Sequence, residues 1–140
     1  MKTNSTLPSF FGLSVLVVDA DPVARQATRA VAFRLGLTVA SADDGDEAIA
    51  ALRAHPVDAV LVALDRPGLD GLQATRAIRS QPTRWADVPV LALSTRDGDD
   101  ERMRCLEAGL DDLLASPPDA ARLAAALDAL CAEPVIPAGR

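Results

Sequence analysis

A chain of 140 residues, 49% hydrophobic and 24% charged, has the size of one domain and enough apolar side chains to fill its core. That balance excludes a disordered chain, and the formal net charge of -6 disfavours nucleic-acid binding, which needs a basic face. No apolar run approaches the roughly 20 residues of a membrane span, and Met1–Thr6 lacks the apolar stretch of a signal peptide. A cytoplasmic protein is expected, with no membrane or nucleic-acid partner.

Residue counts exclude further chemistry. Cys105 and Cys131 read as small buried hydrophobes in helices of a reducing compartment. No metal-ligand spacing links them to His55, the only histidine, which is expected exposed at a helix end. The only lysine is Lys2, so chemistry that requires a lysine inside the domain is absent.

In chain order, residues 1–11 form a leader in which Phe10 and Phe11 are available to pack on the domain or a partner. Leu13–Val18 is a β-branched apolar run, as in a buried parallel strand. Asp21-Pro22 offers a helix cap and a proline at the first helical position. Val23, Ala27, Ala30, Val31 and Leu35 follow at helical spacing, and Gly36 stops the helix. Leu37–Ser41 is a second strand, and Asp44–Glu47 opens a helix with Ala48, Ile49 and Leu52 on its apolar face. Ala59–Ala63 is a third strand, Asp70 caps a third helix with Leu72, Ala74 and Ile78, and Ser80–Asp87 is a loop holding Trp85. Pro89–Leu93 is a fourth strand, Asp99 or Asp100 caps a fourth helix ending near Gly109, and Asp112–Ala115 is a fifth strand. Pro117-Pro118 starts the last helix, with Leu123, Leu127 and Leu130 as a core stripe. The domain is expected over 12–132, with a tail at 133–140.

Five strands alternating with five helices imply an α/β fold. The expected form is a doubly wound five-stranded parallel sheet of order 2-1-3-4-5, a flavodoxin-like three-layer sandwich. In such a sheet the ligand crevice lies beyond the carboxyl ends of the strands. That rule selects Asp19–Asp21, Ala63–Asp65, Ser94-Thr95 and Ser116.

The stretches Val15–Pro22, Asp44–Ala48, Pro67–Leu72, Val88–Ser94 and Cys105–Asp112 resemble, in order and spacing, the receiver domain of two-component response regulators. The resemblance covers Leu13–Pro118, and its last stretch is similar to receivers attached to hybrid sensor kinases. It implies bacterial phosphorelay signalling, in which a carboxylate beside a Mg²⁺ site accepts a phosphoryl group. It also implies where that site lies: an acidic pair at Asp19 and Ala20, the phosphoacceptor four residues before Pro67 at Ala63, a hydroxyl at Ser94, an aromatic switch at Leu113 and a lysine at Ser116. Ala20, Ala63, Leu113 and Ser116 are thus chemically silent, and their joint occurrence reads as natural degeneration of a pseudo-receiver.

Three functions follow. The first is a phosphorylation-independent protein-interaction or regulatory module, not an enzyme, binding Mg²⁺ weakly or not at all. Its partner would be a histidine kinase, an output domain or a second copy, met through the helix 4–strand 5–helix 5 face, with Arg102, Arg104, Glu107, Asp111, Arg122 and Asp128. The second is a phosphorylatable response regulator using Asp65, with Asp19, Asp21 and Asp65 as a residual cation site. The competing reading makes Asp21 a helix cap and Asp65 a solvated loop residue. The third is a small-molecule binder in the emptied crevice, which the lack of a Gly-rich phosphate loop after strand 1 disfavours.

Overall fold

The computed structural model describes residues 12–131 except Pro67, Gly68 and Asp97, and gives no account of the side chains of Asp65, Arg66, Leu69 and Cys131. The expected leader at 1–11 and tail at 133–140 lie outside the described residues.

Five parallel strands form the central sheet: β1 (Ser14–Val18), β2 (Thr38–Ala42), β3 (Ala59–Ala63), β4 (Val90–Ser94) and β5 (Asp112–Ala115). Their spatial order is β2-β1-β3-β4-β5, the expected doubly wound arrangement. Register pairs Val18 with Val62, Ala63 with Leu93, and Ser94 with Ala115, so the carboxyl ends of four strands share one rim.

Five α-helices join the strands: α1 (Pro22–Arg34), α2 (Gly45–Ala54), α3 (Gly71–Arg79), α4 (Asp99–Ala108) and α5 (Ala120–Cys131). The period of two along each strand divides the core. Leu16, Val18, Val60 and Val62 point to one face, where Leu52 of α2, Ile78 of α3 and Cys105 of α4 cover them. Val15, Val17, Leu61, Leu91 and Leu93 point to the other, under Ala32 of α1, Leu35 at its C-cap, and Leu123 and Leu127 of α5. The central strands are apolar on both faces, and β3 and β4 are buried at every residue.

Local signals explain the helix ends. Asp21 Oδ1 accepts the N–H groups of Val23 and Ala24, and Pro22 stands at the first helical position. Gly36 follows the end of α1 at φ +88°, a conformation that glycine adopts without a Cβ penalty. Asp44 caps α2 through the N–H of Glu47, and Asp70 caps α3 through Leu72 and Gln73. Gly109, at φ +99°, ends α4 as expected.

Several local expectations need correction. The buried face of α1 is Thr28, Ala32 and Leu35, with Val31 partly buried; Val23, Ala27 and Ala30 are exposed. The apolar residues of α1 outnumber those one face can bury, so periodicity alone did not select the inward set. Gly98, not Asp99 or Asp100, occupies the cap position of α4, and the two aspartates lie in its first turn, where the helix dipole favours them. The last helix begins at Ala120 rather than at Pro117-Pro118. Asp119 supplies its start, accepting the N–H of Arg122 through Oδ2 and that of Leu123 through its carbonyl. β2 and β4 are each displaced by one residue from the expected span.

Two small elements went unread. Asp65–Arg66 pairs antiparallel with Leu69–Asp70, and Arg84–Asp87 forms a 3-10 turn. That turn is held by Arg79, whose Nη1 donates to the carbonyls of Ala86 (2.7 Å) and Val88 (2.6 Å). Its Nε and Nη2 donate to the carbonyl of Gly109, and Nη2 pairs with Asp111 at 3.0 Å. One planar guanidinium thus ties the turn before β4 to the turn before β5.

Candidate functional site

The rim at the carboxyl ends of the strands brings together Asp19 after β1, Ala63 at the end of β3, Ser94 at the end of β4 and Ser116 after β5. Asp19 is buried. Its N–H continues the ladder to Ala42 at 3.0 Å, and its Oδ1 accepts the N–H of Asp21 at 2.9 Å. A buried carboxylate needs such donors, because an unpartnered charge in a low dielectric is expensive.

Ala63 is 1% exposed, and its methyl belongs to the core cluster beneath α2, α3 and α4. Ser94 Oγ accepts the N–H of Arg96 at 2.9 Å, while its carbonyl accepts the N–H of Ser116 at 3.0 Å. Ser116 is half-buried and precedes a cis bond to Pro117. Ala20 is half-buried beside the core, and Leu113 is buried within it.

The rim therefore presents one buried carboxylate, the hydroxyls of Ser94 and Ser116, and small or apolar side chains. Asp21 is drawn to the helix cap, as one of the two sequence readings had it. The Asp65 side chain lies outside the described residues. Among the described residues no group of three His, Cys, Asp or Glu side chains comes together to hold a metal ion. Magnesium is held by carboxylates in near-octahedral geometry with several waters retained. Asp19 with Ala20 and Ala63 beside it does not fit such a site.

Arg25 and Asp43 were missed. Arg25 Nη1 donates to the carbonyl of Asp19 at 2.7 Å and pairs with Asp43 Oδ1 at 2.8 Å. The N–H of Asp43 donates to Glu47 Oε1 at 2.8 Å, which fixes the loop entering α2. A cationic side chain thus closes one side of the rim. Nothing in the separation of residues 25 and 43 along the chain signals this pair; it arises because α1 and the β2–α2 loop converge beyond β1.

Comparison with known proteins agrees with this architecture. The family model described as "Response regulator receiver domain" matches residues 15–128. The transcriptional regulatory protein QseB of Haemophilus influenzae is 38% identical over 118 residues, covering 84% of this chain and 52% of the relative. The gliding motility regulatory protein of Myxococcus xanthus is 36% identical over 107 residues, 76% of this chain and 14% of its own length. The chain thus spans about half the length of QseB, and less of the other relative. Among solved structures, the receiver domain of sensor histidine kinase PA1611 from Pseudomonas aeruginosa is 34% identical, with a TM-score of 0.76, 87% of this chain covered and 99% of that one. That structure carries a magnesium ion coordinated in its active-site cleft. A response regulator from Chloroflexus aurantiacus superposes with a TM-score of 0.78 at 26% identity, covering 86% and 98% of the two chains. By its sheet order, its family match and these relatives, the chain belongs to the response regulator receiver domain family of two-component signalling.

Proposed function

We propose that this chain is a pseudo-receiver: an interaction or regulatory module of two-component signalling, not an enzyme, whose output does not depend on phosphorylation. The observation that carries the reading is Ala63, a buried methyl at the end of β3, four residues before Pro67. A methyl group is not a phosphoryl acceptor. Ala20 offers no metal ligand beside Asp19, and Ser116 offers no cation to pair with phosphoryl oxygens. Mg²⁺ binding is accordingly weak or absent.

The function then lies on the surface, and its partner is a protein: a histidine kinase, an output domain or a second copy. The α4–β5–α5 face is the proposed contact. Met103 and Leu106 on α4 are 59% and 60% exposed, and α4 also carries the ion pairs Arg102–Asp112 and Arg104–Glu101. An apolar centre with charged neighbours is the usual anatomy of a protein interface.

Incubation with acetyl phosphate or beryllofluoride and Mg²⁺, followed by intact mass and amide spectra, tests the reading. No mass increase and no movement of the Ser94 and Thr95 signals are expected. A phosphorylated species retained after Asp65→Asn would still overturn the pseudo-receiver assignment, and one lost with Asp65 would establish the alternative acceptor. A pull-down from native lysate, repeated with Met103→Ser and Leu106→Ser, tests the contact face.

A further inference from the structure

At the end of the sheet opposite the rim, a cavity of about 450 Å³ opens between the end of α2, the segment leading into β3 and the 3-10 turn leading into β4. Arg53, His55, Arg84 and Trp85 line it, over a floor that includes Pro56 and Val57. We propose that this cavity binds a small planar anion of the nucleoside phosphate class.

Charge comes first. The chain is acidic, with a net charge of -6, yet this lining carries two guanidinium groups and an imidazole and no carboxylate. Arg84 is exposed, and no hydrogen bond or ion pair engages it among the described residues. Arg53 donates one Nη2 bond, to Gln81 Oε1 at 3.2 Å, which steadies its guanidinium beside the 3-10 turn. Arginine offers a planar fork that matches phosphate oxygens bidentately. The carboxyl end of α2 opposes an anion, but a helix terminus is worth about half an elementary charge. Two full guanidinium charges outweigh it.

Shape comes second. Trp85 is half-buried, packed on the core beneath α2, α3 and α4 while also lining the cavity. An indole in the lining supplies the aromatic surface that a flat ring needs for stacking, and base–aromatic stacking is worth roughly 1–3 kcal/mol. The turn that carries it is fixed by the two Arg79 bonds to Ala86 and Val88. Preorganisation of this kind lowers the ordering cost of binding. The volume falls within the roughly 300–1,000 Å³ typical of small-ligand sites.

Trp85 is the only tryptophan, so its emission reports on this cavity alone. The full chain is titrated with ADP, GMP, adenosine and inorganic phosphate, with binding also followed by calorimetry. Saturable quenching by ADP or GMP is expected, with adenosine and phosphate each at least about tenfold weaker. Arg84→Ala and Arg53→Ala should each weaken nucleotide binding about tenfold. Both side chains are exposed, so melting temperature and circular dichroism should not move. Arg34→Ala, exposed at the end of α1, should bind as the unaltered chain does. Three outcomes each overturn the proposal: no saturable response to either nucleotide, phosphate binding as tightly as the nucleotides, or unchanged binding by Arg53→Ala/Arg84→Ala.

Discussion

Gly71, the first residue of α3, lies so close to the end of β3 that a Cβ on it would stand 2.6 Å from the carbonyl oxygen of Ala63. It would also stand 2.7 Å from Cδ2 of Leu64. The helix is seated directly on the strand end where the phosphoacceptor of the family is expected. Only a residue without a side chain permits that approach.

Gly71→Ala should therefore destabilise the fold. Alanine in place of glycine favours a helix by up to about 1 kcal/mol, but forcing a methyl against backbone costs about 1–3 kcal/mol. The clash is with a main-chain oxygen that cannot rotate away, so the cost should win. Urea unfolding followed by Trp85 emission measures it, and a midpoint equal to or above that of the unaltered chain would refute the packing argument.

Arg79 serves three backbone carbonyls, those of Ala86, Val88 and Gly109. Removing it leaves acceptors without their donor, and each buried unsatisfied group costs about 1–3 kcal/mol. Arg79→Ala should lower stability by about 2–4 kcal/mol, with part of the loss offset by water. Arg79→Lys should recover less than half, because an ammonium cannot reproduce the fork. Full recovery of stability in Arg79→Lys would show that charge, not geometry, matters.

Millimolar Mg²⁺ should leave the melting temperature of the chain unchanged. A ligand that binds only the native state adds about 2.7 kcal/mol at a hundredfold excess over its dissociation constant. Ala20→Asp/Ala63→Asp should become Mg²⁺-responsive, and in the absence of metal should be less stable than the unaltered chain because carboxylates then crowd Asp19. Adding Ser116→Lys should be required for phosphorylation by acetyl phosphate. A several-degree rise for the unaltered chain in Mg²⁺ would count against the pseudo-receiver reading.

The Arg25–Asp43 pair is part-exposed, at 20% and 60% for the two side chains. A double-mutant cycle should give a coupling of about 0.2–1 kcal/mol that shrinks in high salt. Arg25→Ala alone should cost more than Asp43→Ala, because it also strips a donor from the carbonyl of Asp19. The reverse ranking would mean that the bond to Asp19 contributes little.

The sequence by itself determined the scaffold. Apolar runs in Val15–Val18, Ala59–Ala63 and Val90–Leu93 require strands buried on both faces, and the Asp21-Pro22, Asp44 and Asp70 caps fix three of the helix starts within a few residues of chain. The alternation implies a parallel sheet, for which order 2-1-3-4-5 is the common five-stranded form, and that order carries the rim that gathers Asp19, Ala63, Ser94 and Ser116. What stands at each rim position is a matter of covalent identity, legible without coordinates. The tertiary structure decided everything that depends on elements far apart in sequence. It turned α1 so that Thr28, Ala32 and Leu35 face inward while Val23 faces out. It brought Arg25 to Asp43, Arg79 to Gly109 and Asp111, and Arg53 to the side of Trp85. Local propensity and periodicity act over a few residues, whereas these juxtapositions arise only when helices pack on a twisted sheet, and no spacing along the chain encodes them.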